Sequence, residues 1–209
     1  MTDLINILLP PTKIPMKIGL FFGSFNPPHI GHLAIANFLV EYTDLSQLWF
    51  VVSPRNPFKE EDTLLKEYDR LELVRQAVND DRRFRVSDVE FRLSKPSYTI
   101  HTLDHLKEKF PDHTFILVMG SDNLENFSQW KDVGRILENH RILVYPRPGY
   151  DPSGYLTHEN ISLVKAPLLE VSSTFIRHAV GEGKDVRYFV PERVWEYMDK
   201  MNYYRKSPK

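Results

Sequence analysis

The stretch KIGLFFGSFNPPHIGH, Lys17 to His32, decides how the rest of the chain is read. Lys17 to Phe22 is a short apolar run closed by Gly23, the mark of a buried strand. Gly23 lets the backbone turn tightly and approach a ligand closely. Pro27 and Pro28 then stiffen the approach to a helix over Ile30 to Tyr42, where Ile30, Leu33, Ala34, Phe38 and Leu39 recur at helical spacing. A helix start presents free N–H groups and a partial positive charge, and that combination suits phosphate. His29 and His32 are three apart and so share one face of the helix start. Both can donate hydrogen bonds to phosphate oxygens, and Gly31 removes a side chain that would crowd the ligand. Two histidines at this spacing could also ligate a metal, but no cysteine and no nearby acidic pair accompanies them.

Outward from this stretch, strands are predicted at Gln47 to Val52, Thr114 to Met119, Arg141 to Tyr145 and Ile161 to Val164. Phe84 to Phe91 reads as one strand or two fragments. Helices are predicted at Tyr68 to Val78, at Tyr98 to Phe110 capped by Ser97, and at Trp130 to Leu137 capped by Ser128. Two more follow at Ser173 to Val180, ending at Gly181, and at Pro191 to Met201 with proline first. Ser53 to Leu65, with two prolines, reads as a loop. Strand and helix alternate along almost the whole chain, which implies an α/β fold, a doubly wound parallel sheet with helices on both faces. Ligands bind such sheets at the carboxyl ends of strands, where strand order reverses. The expected organisation is one domain over residues 16–209, with a small C-terminal helical part and an extension at 1–15.

That extension, MTDLINILLPPTKIP, is too short for a membrane span and lacks the basic start and cleavage site of a signal peptide. Translation starting at Met16 and a docked or floppy arm are both open readings. With no cysteines in 209 residues, cysteine catalysis, thiolate metal sites and a disulfide scaffold are excluded. This fits a cytoplasmic protein. The net charge of −1 gives no basic footprint for nucleic acid. No stretch approaches about 20 apolar residues, so no membrane partner is expected. The sequence leaves a homo-oligomer open.

Two further segments carry phosphate and nucleoside chemistry. In Val171-Ser172-Ser173-Thr174-Phe175-Ile176-Arg177, three hydroxyls open a helix, and Arg177, within one turn, can fork onto phosphate. The bland alternative is a Ser/Thr cap beside a surface arginine. In Met119-Gly120-Ser121-Asp122-Asn123, Gly120 admits a base or ribose, and Asp122 can accept from ribose hydroxyls or help organise magnesium. A plain helix cap is compatible with the same residues.

Gly23 to His32 resembles the H-x-G-H motif of the nucleotidylyltransferase superfamily, whose members share a Rossmann-like fold. Val171 to Arg177 resembles the same superfamily's I-S-S-T-x-I-R motif, with valine in place of isoleucine. The family commonly has Gly-Thr-Phe-Asp where this chain has Gly23-Ser24-Phe25-Asn26. The resemblance implies that His29 and His32 hold the ATP phosphates and stabilise a pentavalent transition state. It implies that Ser173, Thr174 and Arg177 hold the β- and γ-phosphates with Ser172 close by, and that Gly23, Ser24, Phe25, Gly120 and Asp122 complete the ATP site. Magnesium is then expected on phosphate oxygens, with no protein ligand assigned.

Three segments resemble the bacterial-type nicotinate mononucleotide adenylyltransferases: Pro96 to Leu103 (PSYTIHTL), Asn126 to Lys131 (NFSQWK) and Tyr68 to Leu71 (YDRL). The expected partners are therefore ATP and nicotinate mononucleotide. A pyridine ring wants an aromatic face, which Trp130 offers. Tyr98 and Thr99 can donate to the carboxylate, and Lys59 can steer phosphate. Core packing for Trp130 and a solvated surface for Lys59 are the competing readings. Other acceptors, such as nicotinamide mononucleotide or phosphopantetheine, and a non-catalytic ATP sensor stay as alternatives.

Overall fold

A computed structural model of the chain describes residues 14–54, 64–151 and 153–205. Six parallel strands form one sheet: β1 (Lys17–Gly23), β2 (Gln47–Val52), β3 (Phe84–Ser87), β4 (Thr114–Gly120), β5 (Ile142–Tyr145) and β6 (Ile161–Leu163). Their order is β3-β2-β1-β4-β5-β6. β1 pairs with β2 on one side and β4 on the other, so the order reverses beside the carboxyl end of β1. The crevice expected for ligands in an open α/β sheet therefore opens just after Gly23.

The central strands β1, β2, β4 and β5 are almost unbroken apolar runs because both sheet faces are covered there. Alternate residues of β1 and β4 serve opposite faces. Phe21, Ile116 and Val118 join Phe50, Leu39, Leu71 and Val74 in one core, under α1 (Ile30–Tyr42) and α2 (Glu67–Val78). Ile18, Leu20, Phe115 and Leu117 join Ile100, Leu103 and Ile136 in the other, under α3 (Thr99–Lys109) and α4 (Val133–Asn139). A third cluster, with Leu73, Ile176, Val180, Val194 and Met198, joins α2 to α5 (Ser173–Gly181) and α6 (Glu192–Lys200). Among the described residues no helix is long and apolar enough to cross a membrane.

Three local expectations need correction. α4 begins at Val133, not Trp130, and Ser128 lies inside a 3-10 turn, Phe127–Gln129. The cause is Asp132, which takes a left-handed conformation (φ 52) and fixes the helix start; aspartate tolerates that region better than most residues. α3 begins at Thr99 with Tyr98 at the cap position, so Ser97 stands one residue too far out to reach the first-turn N–H groups. Pro191 sits at the cap position of α6 rather than inside it. The region from Phe84 resolves as two fragments, β3 and a 3-10 turn at Val89–Arg92. Residues 1–13, and Lys59 with its loop, lie outside the described residues.

Candidate active site

The turn after β1 is gripped from several sides. Phe25 takes a positive φ of 45° and sends its ring inward, where it is 2% exposed. There it meets the rings of Phe21, Phe50 and His32, the last at 5.1 Å. A Cβ at Gly23 would stand 2.8 Å from the Phe25 ring. Gly23 therefore makes room for Phe25, not for a ligand, and Phe25 can meet a ligand only through its main chain. Arg70, fully buried, donates to the Ser24 carbonyl at 2.7 Å.

His29 caps α1, and its backbone N–H donates to His32 Nδ1 at 3.2 Å. With Nδ1 accepting, the proton of a neutral His32 sits on Nε2, which makes Nε2 a donor. The two rings lie 3.7 Å apart. His29 is almost wholly buried, and its Nδ1 has no hydrogen-bond partner among the described residues. Burial first, then the nearby Arg147 charge, push its pKa down to about 3. The ring is thus neutral in the free protein, while bound phosphates would push the other way. Gly31 has a different task from the expected one. A Cβ there would come within 3.0 Å of His29 Nδ1, so the space it leaves belongs to the imidazole.

The two distant motifs meet here. Ser173 Oγ donates to the Pro27 carbonyl at 2.8 Å, and Arg177 donates to the Asn26 carbonyl at 2.8 Å and to Thr174 Oγ1 at 3.3 Å. Ser172 caps α5 by accepting from the Phe175 N–H at 3.1 Å. The start of α5 is therefore bolted to the turn that precedes α1, and both helix N-termini converge on one place.

A cavity of about 380 Å³ opens there, lined by His29, Gly31, His32, Tyr145, Arg147 and Ser172 among others. The sequence assigns no role to Arg147 or to the Ala166–Val171 wall, which line the cavity. The available signal was topological, since Arg147 follows the carboxyl end of β5. Arg147 Nε lies 3.8 Å from Asp122 Oδ1, and the Arg147 backbone N–H donates to Ser121 Oγ at 2.8 Å. Gly120 leaves the room for both, because a Cβ there would stand 2.3 Å from Asp122 Oδ1 and 3.1 Å from Arg147 Cγ.

The expected acceptor residues form a second group. α3 runs back along the sheet, so Tyr98 and Thr99 at its start sit at the strands' carboxyl edge. Lys131 Nζ lies 4.7 Å over the Tyr98 ring, which joins this group to the Trp130 segment. Trp130 is half-buried, edge-on to Phe127 at 5.2 Å. Among the described residues no cluster of three or more His, Cys, Asp or Glu side chains is placed to hold a metal.

A sheet reversing beside a histidine-bearing helix start defines a class, and a family model described as cytidylyltransferase-like matches residues 20–179. Within that class, the chain belongs to the nicotinate-nucleotide adenylyltransferase family, a family of nucleotidyltransferase enzymes. A relative named "probable nicotinate-nucleotide adenylyltransferase" from Flavobacterium johnsoniae is 49% identical over 91% of this chain and 100% of its own length. One of the same name from Cytophaga hutchinsonii is 50% identical over 90% of this chain and 98% of its own. The fold resembles that of the Plasmodium falciparum nicotinic acid mononucleotide adenylyltransferase complexed with NaAD. The TM-score is 0.76 at 19% identity, over 90% of this chain and 97% of that one. At that identity the likeness speaks for the fold alone.

Proposed function

We propose that this enzyme transfers AMP from ATP to nicotinate mononucleotide, releasing pyrophosphate and forming deamido-NAD. One observation carries the chemistry: the starts of α1 and α5 converge beside His29, His32 and Arg147 on one cavity. The naming of the relatives supports the acceptor.

An oxygen of the acceptor phosphate attacks the α-phosphorus of ATP in line, and the bond from that phosphorus to the β-phosphate oxygen breaks. Negative charge passes to pyrophosphate, and no protein nucleophile is needed. Catalysis is then positioning and charge stabilisation. His32 Nε2–H, the N–H groups opening α5 and the Arg147 guanidinium are the donors. Arg177 and Ser173 hold the turn that presents the histidines, while Thr174 and Arg177 face the β- and γ-phosphates. Asp122 reads ribose hydroxyls, and Gly120 leaves the room in which Asp122 and Arg147 meet. Magnesium would enter with ATP, held by its phosphate oxygens, and no residue is assigned to it. Tyr98 and Thr99 read the pyridine carboxylate and Trp130 offers the ring a face. We assign the reaction to one domain over residues 16–209.

The test is pyrophosphate release with magnesium and ATP, offering nicotinate and nicotinamide mononucleotides in parallel. Strong preference for the acid is expected. Equal or reversed preference overturns the acceptor, and no release with either overturns the reaction.

A further inference from the structure

Arg70 lies wholly buried on α2 yet points its guanidinium at loops, not at helices. Nε donates to the Leu65 carbonyl at 2.9 Å, and Nη1 to the carbonyls of Ser24 and Ser53, both at 2.7 Å. Nη2 donates to the Pro54 carbonyl at 2.7 Å. One planar group thus joins the turn after β1 to the exit of β2 and to the chain entering α2. The exit of β2 is held a second time. The Ser53 side chain lies against the carboxyl group of Glu90, which is 3% exposed. Glu90 in turn accepts from Thr102 Oγ1 at 3.0 Å, wholly inside the protein. Thr102 stands one turn into α3, the helix that begins with Tyr98 and Thr99.

We propose that Arg70, Ser53, Glu90 and Thr102 form a buried relay that sets the acceptor-side helix α3 against the ATP-side turn at Ser24. This inference rests on the adenylyl-transfer reading above. None of its members lines the cavity beside the histidines, so they are positioning residues. The physical reason to place such a relay here is that in-line transfer depends on the distance between two separately bound phosphates. A misplacement of roughly 1 Å from a remote change costs about a hundredfold in rate. Arg70, Glu90 and Thr102 are buried and Ser53 is half-buried, so each one leans on its partner and the network behaves as a unit. Lysine cannot replace Arg70, because a single ammonium cannot reach carbonyls spread around a planar fork.

The experiment compares wild type, Arg70→Lys and Thr102→Val, each normalised to folded protein well below its melting temperature. Initial rates are taken with both substrates saturating, alongside direct binding of a non-hydrolysable ATP analogue. Wild-type turnover comes first, since its failure refutes the adenylyl-transfer reading and not the relay. Given wild-type turnover, kcat is expected to fall about tenfold or more in Arg70→Lys and severalfold in Thr102→Val. Affinity for the ATP analogue alone should stay within about threefold, because a relay between sites governs their spacing more than either site. A kcat per folded molecule within twofold of wild type overturns the proposal, whatever happens to the melting temperature. If Arg70→Lys does not fold, Thr102→Val decides by the same criterion, since it removes only one hydroxyl.

Discussion

His29 and His32 differ in what they can do, although they stack on each other at the same helix start. His32 offers Nε2–H because Nδ1 already accepts a backbone N–H. Removing one donor to transition-state charge costs about a hundred- to a thousandfold in rate. His32→Ala is therefore expected to lose that much kcat while melting within a few degrees of wild type; a collapse of both together would make the residue structural. His29 is held neutral by burial and by Arg147, with its pKa near 3 against 6.5 for the free side chain. The unfolded chain thus binds a proton that the folded chain refuses. Stability from this group is complete above pH 6.5 and drains away as pH falls toward 3. Between pH 7 and pH 5 the loss is about 2 kcal/mol. Urea unfolding at the two pH values should show it in wild type and lack it in His29→Gln. Parallel slopes in the two proteins would mean that folding leaves the His29 pKa unshifted.

At the scale of elements, α1 and α5 matter for where they start. Gly31 lies in the first turn of α1, and alanine there would gain up to about 1 kcal/mol in helix propensity. Its Cβ, however, would press the His29 ring at 3.0 Å. Gly31→Ala is therefore expected to leave the melting temperature within a few degrees and to lower kcat/KM for ATP about tenfold. Steady-state kinetics beside thermal melting checks this, and unchanged kcat/KM would show that the ring has freedom to move. The sequence makes these two starts legible because their signals are local: Ser172 reads as a cap, and it caps the Phe175 N–H. The start of α4 was not legible, because the left-handed turn at Asp132 leaves no mark in apolar spacing. The purpose of Gly23 and Gly31 was hidden for another reason. Their neighbours Phe25 and His29 are two residues away in the chain, but only the fold reveals that those rings turn back over the glycines.

Across the whole molecule, alternation of strand and helix predicts the parallel sheet, and the β3-β2-β1-β4-β5-β6 order then fixes the crevice. What alternation cannot predict is which distant residues close the site. Arg147 and Arg70 are examples, and so is the chain beyond α6. Tyr204 Oη donates to Asn26 Oδ1 at 2.7 Å, and the Leu65 N–H reaches the same oxygen at 3.3 Å. Burial pushes the Tyr204 phenol well above its ordinary pKa, so the group remains a donor throughout the working range. The end of the described chain is in this way fastened to the turn that carries the histidines. Tyr204→Phe keeps the ring and removes the bond. Loss of one such hydrogen bond costs about 1 kcal/mol, or about 2–4 °C in a chain of this size. Asn26 also presents its carbonyl to Arg177, so freeing its side chain should loosen the meeting of α1 and α5. The expected kinetic result is a severalfold rise in KM for ATP with KM for nicotinate mononucleotide nearly unchanged. A drop in melting temperature with both KM values unmoved would reduce the C-terminal turn to a clasp for α6. A rise in KM for both substrates would place Asn26 on the acceptor side as well, and tie the phosphate turn to both halves of the reaction.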